Sequence, residues 1–243
     1  MPAAVYTETI DYQQGGATLE GHVVWDDSVQ GKRPGVLVVH QWQGVSDYER
    51  KRAQMLAQLG CVAFCADIYG KGVRPQTTAE AAAQAGKYRS GDRQLLRARV
   101  NAGLDALRRQ PLADPRRLAA IGYCFGGTTV LELARSGADL AGVVSFHGGL
   151  DSPNPADGRN IRCKVLVLAG ADDPFQKPED LAAFQNEMRA AKVDWQLVFY
   201  GGAVHSFTDW GMDGKALQGA AYHERADRRS WEAMKLFFAE IFG

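Results

Sequence analysis

The sequence predicts an α/β fold, a mainly parallel, twisted sheet of about 7–8 strands with helices on both faces. Three observations carry this. Short continuous apolar runs, such as Val36-Leu37-Val38-Val39 and Cys61-Val62-Ala63-Phe64-Cys65-Ala66, read as strands covered on both sides. They alternate with segments whose apolar residues recur at helical spacing. No internal repeat, low-complexity tract or linker interrupts the chain, so residues 1–243 read as one domain.

The elements follow in order. Val5–Tyr12 and Thr18–Trp25 are β-prone and flank Gly15-Gly16, which predicts an antiparallel hairpin at a sheet edge. Pro34–His40 is the first buried strand. Ser46 and Glu49 form a capping box, so a helix should run from there to about Leu59 and stop at Gly60. The strand Cys61–Ala66 follows and closes with Asp67. Residues 68–75 read as a loop, and Ala79–Ala85 as a short helix that breaks at Gly86. A helix beginning near Asp92 carries Leu96, Val100, Leu104 and Leu107 on one face and ends at Pro111.

In the second half, strand Arg117–Tyr123 leads through a glycine-flanked cysteine into helix Thr128–Arg135. Strands are expected at Leu140–Phe146, Lys164–Ala169 and Trp195–Tyr200. Between the last two, helix Pro178–Ala191 has a proline entry and an apolar face of Leu181, Phe184 and Met188. The final helix, from about Ala220 to Ile241, shows the stripe Trp231, Met234, Phe238 and Ile241.

Composition narrows the function. Lys+Arg and Asp+Glu are both 28, so the net charge is zero and nothing argues for a nucleic-acid or anionic-membrane partner. No apolar run is long enough to span a bilayer. The opening Met1-Pro2-Ala3-Ala4-Val5 has neither a basic nor an apolar leader region, so no signal peptide is expected and a cytoplasmic location is. Cys61, Cys65, Cys124 and Cys163 lack the spacing of a disulfide framework. The histidines, at 22, 40, 147, 205 and 223, form no metal-binding pair with each other or with cysteine, so neither a metal nor a cofactor is expected.

The chemistry-bearing stretch is Ile121-Gly122-Tyr123-Cys124-Phe125-Gly126-Gly127, a G-x-C-x-G sequence between a strand and a helix. It is the nucleophile-elbow pattern with sulfur in place of oxygen. The nucleophile sits in a strained turn, the glycines let neighbouring backbone pass, and the next helix aims its N-terminal amides at the reacting centre. In an α/β sheet, ligands bind beyond the carboxyl ends of the strands. Two such ends supply partners. Lys164–Ala169 runs into Gly170-Ala171-Asp172-Asp173-Pro174, where proline holds Asp173 in an extended turn. Trp195–Tyr200 runs into Gly201-Gly202-Ala203-Val204-His205. The chain order nucleophile, acid, histidine is that of α/β-hydrolases.

Roles follow from proton chemistry. A free thiol, with pKa about 8.5, needs a base to become a nucleophile at neutral pH. His205 takes that proton and later activates water, while Asp173 fixes the imidazole tautomer. The backbone amides of Phe125 and Trp42 are expected to form an oxyanion hole, each donor lowering the barrier by about 3 kcal/mol. Gln41, Trp42, Tyr88, Phe125, Phe146 and Trp210 are the expected pocket residues, shaped by segments 68–92 and 201–219.

These residues resemble the dienelactone hydrolase family of α/β-hydrolases over nearly the whole chain. The likeness rests on Gly122-Tyr123-Cys124-Phe125-Gly126-Gly127, on Gly170-x-x-Asp173-x-Phe175 and on His205-Ser206-Phe207. Val39-His40-Gln41-Trp42-Gln43-Gly44 and Ala66-Asp67-Ile68-Tyr69 match as well. The resemblance implies a Cys124, His205, Asp173 triad, and its spacing selects Asp173 over Asp172. Two positions depart from it. Dienelactone-cleaving members have a glutamate where this chain has Gln41, and an arginine where it has Asp209. Dienelactone is therefore expected to be a poor substrate and neutral esters better ones.

The leading expectation is a cysteine-dependent hydrolase of small neutral carboxylic esters that works through a thioester. The resemblance extends this to neutral phosphotriesters with good leaving groups. A dienelactone hydrolase, a non-catalytic small-molecule-binding scaffold and a redox protein sensing through Cys124 are the competing readings. The expected partner is a small-molecule ester, with no nucleic acid and no membrane. Oligomeric state is open, a homodimer being one candidate.

Overall fold

The computed structural model describes residues 5–215 and 217–243. The first four residues, which bear on the signal-peptide expectation, lie outside them, as does Ala216 in segment 201–219. Among the described residues, eight mostly parallel strands alternate with six α-helices, which lie on both sides of the sheet. That is the class read from the sequence. By contact density the chain forms two compact units, Met1–Ile121 and Gly122–Gly243.

In the first unit β1 (Val5–Gln14) and β2 (Ala17–Asp26) form the expected hairpin, with Gln14 opposite Ala17 and Gly15 at φ 58° in the turn. β3 (Arg33–Val39) and β4 (Val62–Ala66) are parallel, β2 is antiparallel to β4, and β5 (Ala113–Tyr123) completes the order β1-β2-β4-β3-β5. Helix α1 (Asp47–Gln58) begins with the capping box. Ser46 Oγ accepts from the Tyr48 N–H, and Glu49 Oε2 accepts from the Ser46 N–H at 2.8 Å. The same carboxylate, fully buried, takes the Gln41 N–H at 3.0 Å on Oε1, so one cap also fixes the loop after β3.

Three expectations in this unit are corrected. Helix α2 (Thr78–Arg89) does not break at Gly86 but runs through it. A helical glycine costs about 1 kcal/mol relative to alanine, and burial of Ala81, Ala85 and Tyr88 on one face offsets that. Helix α3 (Gln94–Arg108) starts two residues later than expected, because Arg93 takes a left-handed φ of 58°. Its face of Leu96, Val100, Leu104 and Leu107 is buried as read. Strand β5 also starts earlier than Arg117, at Ala113.

In the second unit helix α4 (Phe125–Arg135) starts immediately after Cys124, three residues before the expected Thr128. Glycine pairs are weak helix formers, which hid this turn in the sequence, but packing requires Gly127. A Cβ on Gly127 would lie 2.7 Å from Ser145 Oγ and 2.8 Å from Gly148 Cα. Strands β6 (Gly142–Phe146), β7 (Lys164–Gly170) and β8 (Trp195–Tyr200) are parallel, with a 3₁₀ turn (Pro155–Asn160) before β7. Helix α5 (Pro178–Ala191) matches its expected bounds.

Helix α6 (Glu224–Phe242) starts later than Ala220, because residues 217–223 have another task. The Ala221 N–H donates to the His205 carbonyl and the His223 N–H to that of Phe207, holding this segment against the loop after β8. A buried ion cluster ties α4 to α5: Arg135 donates to Glu187 at 2.7 and 2.8 Å and to Glu132 at 3.0 Å. No helix of the described residues is long and apolar enough to cross a membrane.

Candidate active site

The elbow explains its own sequence. Cys124 has φ 54° and ψ −113°, a conformation that side chains rarely adopt. Strain of this kind costs on the order of 1–3 kcal/mol and persists only where surroundings impose it. Here the Cys124 N–H is shared by the Phe146 carbonyl at 3.0 Å and His147 Nδ1 at 3.1 Å. Gly122 is required because a Cβ there would lie 2.0 Å from the Gly126 carbonyl oxygen. Cys124 is half-buried, at the N-terminus of α4, where the positive end of the helix dipole favours a thiolate.

The loops after β7 and β8 carry the other two groups to it. His205 Nε2 lies 3.2 Å from Cys124 Sγ, and Asp173 Oδ2 accepts from His205 Nδ1–H at 2.8 Å. Asp173 Oδ1 takes the Phe175 N–H at 2.8 Å, which locks the carboxylate across its own turn. Asp172, the neighbour, instead accepts from the Gly202 N–H at 2.9 Å and is exposed. Gly170 lets the two loops meet: a Cβ there would lie 2.5 Å from the Ala203 carbonyl oxygen. The His205 backbone is pinned on both sides, its N–H donating to Gly219 at 3.1 Å and its carbonyl accepting from Ala221 at 3.0 Å.

Electrostatics make this more than a hydrogen-bonded chain. Burial pulls the His205 imidazolium down, but the negative charge of Cys124 and the bond from Asp173 outweigh it and push His205 up to about 10. That shift favours the charged imidazolium of His205 beside the sulfur. The other cysteines are different. Burial pushes Cys61 to about 11 and Cys163 to about 12, and raises Cys65 further, so these remain thiols.

A residue that sequence reasoning passes over completes the site. His147 follows β6 and is buried, with its ring 5.3 Å from that of His205. Its Nδ1 accepts from a backbone N–H, so the proton is on Nε2, which donates to Thr208 Oγ1 at 2.7 Å. The signal was present, since His147 stands at a strand's carboxyl end, where ligands bind in this class.

The expected pocket residues divide. The Phe125 amide begins α4 while its ring is buried. The Phe146 ring is buried and stacks on Tyr123 at 4.7 Å, so it is the carbonyl that meets Cys124. Trp210 donates its indole N–H to Asp227 of α6 at 3.1 Å and is 41% exposed. Phe175, 49% exposed, presents its ring edge-on to His205 at 5.2 Å. Asp209 accepts from the Gly211 N–H within its own loop at 2.9 Å. Gln41, Trp42 and Tyr88 belong to the first unit. There the Tyr88 hydroxyl donates to the Tyr69 carbonyl at 3.1 Å, and the Tyr69 hydroxyl to the Trp42 carbonyl at 3.0 Å.

The model of the dienelactone hydrolase family matches residues 19–242. The chain belongs to the dienelactone hydrolase family. It is a hydrolase with the α/β-hydrolase fold. It is similar to a dienelactone hydrolase-like promiscuous phosphotriesterase from metagenomic libraries: 43% identity, 99% of this chain and 100% of that one covered, TM-score 0.95. An uncharacterized protein of Caenorhabditis elegans is 36% identical over 152 residues, 60% of this chain and 94% of that protein. A carboxymethylenebutenolidase of a Pseudomonas species is 29% identical over 182 residues, 73% of this chain and 75% of that one.

Proposed function

We propose that this dienelactone hydrolase family member cleaves small neutral carboxylic esters, with Cys124 as nucleophile, His205 as acid and base, and Asp173 as the group that orients His205. The observation that carries the reading is the 3.2 Å approach of His205 to Cys124, where the sulfur's charge and the bond from Asp173 push His205 up to about 10 against its burial. The thiolate attacks the carbonyl carbon, and the Phe125 N–H at the start of α4 receives the oxyanion. The tetrahedral adduct collapses, its C–O bond breaks, and the His205 imidazolium gives its proton to the departing alkoxide, leaving a thioester.

The second half follows from the causes of the His205 shift. The charge of Cys124 is the largest influence raising it, and acylation removes that charge. His205 then becomes a base. It takes a proton from water, hydroxide adds to the thioester, and the carboxylic acid leaves as the thiolate–imidazolium pair is restored. Gln41 offers no carboxylate to share this work, which falls to His205 alone. Asp209, a carboxylate on the loop after His205, favours neutral substrates over the anionic dienelactone.

The same thiolate is proposed to attack neutral phosphotriesters, a reading supported by the 43% identity to a promiscuous phosphotriesterase. The test is hydrolysis of p-nitrophenyl butyrate and paraoxon, with mass spectrometry for an acyl or phosphoryl adduct on Cys124. Loss of both activities in Cys124→Ala is expected. Wild-type rates in that variant would refute the mechanism, and an inert wild type would favour a binding scaffold.

A further inference from the structure

We propose that His147 is a positioning residue for the nucleophile: as a neutral imidazole bonded between Thr208 and the Cys124 amide, it holds the elbow in the strained conformation that keeps Cys124 within reach of His205. The inference rests on the reading of Cys124 as nucleophile. Its ground is geometric. The Cys124 φ of 54° is unfavourable for a residue with a Cβ, so the turn must be fixed from outside. On the carbonyl side the Gly127 and Thr128 N–H groups donate to Cys124 at 3.0 and 3.3 Å, and on the amide side the Phe146 carbonyl and His147 Nδ1 share its N–H at 3.0 and 3.1 Å.

The histidine is itself over-determined. It has φ 40°, its N–H donates to the Leu168 carbonyl at 2.8 Å, and Thr208 Oγ1 receives Nε2–H at 2.7 Å. The rings of Tyr123, His205 and Phe207 surround it at 6.1, 5.3 and 5.3 Å. The tautomer matters, because an Nδ1–H would present a donor to the Cys124 donor and break the contact. The Cys124 N–H, a donor only, selects the productive tautomer, and the Thr208 hydroxyl matches it by accepting from Nε2–H. Thr208 lies three residues after His205, so the tie joins the histidine's loop to the elbow. The titratable groups about His147 include Cys124, His205, Tyr123 and, through His205, Asp173.

The experiment measures the sulfur directly, and so does not depend on which ester is cleaved. Alkylation of Cys124 by iodoacetamide is followed from pH 4 to 9 in wild type, His147→Phe, His147→Asn and Thr208→Val. Phenylalanine keeps the bulk and removes the acceptor, whereas asparagine keeps an oxygen near the Nδ1 position and tolerates positive φ. The alkylation midpoint is expected to rise by about one pH unit in His147→Phe, with kcat/KM on p-nitrophenyl butyrate falling about tenfold, as loss of one preorganised contact implies. His147→Asn should stay within about threefold of wild type, because its amide oxygen restores the acceptor. Thr208→Val, close to isosteric, should move the midpoint in the same direction and remains informative if His147→Phe does not fold. An unchanged midpoint in Thr208→Val and in any folded His147→Phe would overturn the proposal. So would a loss in His147→Asn as large as in His147→Phe. If the esters prove not to be substrates while the midpoint moves, the positioning role stands and the ester reading falls.

Discussion

Replacing Gly122 with alanine tests the geometric core of this site. The added Cβ would lie 2.0 Å from the Gly126 carbonyl oxygen and 2.2 Å from its carbon. Non-bonded heavy atoms settle near about 3.5 Å, so the first turn of α4 must retreat by about 1.5 Å. Both partners are backbone, which leaves no rotamer to absorb the strain. Forced overpacking costs about 1–3 kcal/mol, equivalent to about 2–12 °C of melting temperature in a chain of this size. Activity should suffer more. A misplacement of about 1 Å at a reacting centre costs on the order of 100-fold, and the turn that moves begins one residue after Cys124, the proposed nucleophile. Thermal unfolding and kcat/KM on p-nitrophenyl butyrate measure both effects. Gly16→Ala is the control: no heavy atom lies within 4 Å of a Cβ there, so its stability should change by less than about 0.5 kcal/mol. A Gly122→Ala protein with wild-type melting temperature and turnover would show that the elbow does not need its glycine, and the steric account would fall.

Other outcomes follow from the same contacts. Asp173→Asn should lower kcat by about 1000-fold or more by losing the charged partner that fixes His205, whereas Asp172→Asn, which keeps an acceptor for the Gly202 N–H and removes only an exposed charge, should stay within about threefold; equal losses in a kinetic comparison would reverse the assignment. The His205 proton, normally lost near 6.5, is held to about 10. The stabilisation from this pair is therefore complete below about 6.5 and disappears as pH rises through about 10. Denaturant unfolding from pH 6 to 10.5 should show an alkaline loss in wild type that His205→Gln lacks, and kcat/KM should decline over the same alkaline range. Glu187→Ala leaves Arg135, 1% exposed, with half of its buried cluster, and should cost about 3–5 kcal/mol in urea unfolding.

Much of the fold was legible because its signals are local. The Ser46/Glu49 capping box, the proline entry at Pro178 and the apolar runs of β3 and β7 each act within a few residues, and the elements begin close to where they predict. The elbow was legible for the same reason, since Gly122 and Gly126, which a Cβ on Gly122 would bring into collision, lie within one turn. Elsewhere local signals misled. Gly86 reads as a break and the glycines after Cys124 as poor helix, yet α2 and α4 run through them. Helix weakness at those positions is outweighed by burial of Ala81, Ala85 and Tyr88 in one case and by close packing on Ser145 and Gly148 in the other.

The sequence by itself thus determined the alternation of strands and helices, the cysteine turn between two glycines, and the order in which Cys124, Asp173 and His205 appear. Composition and periodicity did not separate the two adjacent carboxylates; the family resemblance selected Asp173, and only the tertiary structure set it 2.8 Å from His205, on loops after β7 and β8 that pack at Gly170. It also placed His147 between Thr208 and the Cys124 amide, joining residues 61 and 23 positions apart in the chain. The environment of His205 was decided there too. Burial, the Cys124 charge and Asp173 act on His205 at once, and their sum is a property of the assembled site.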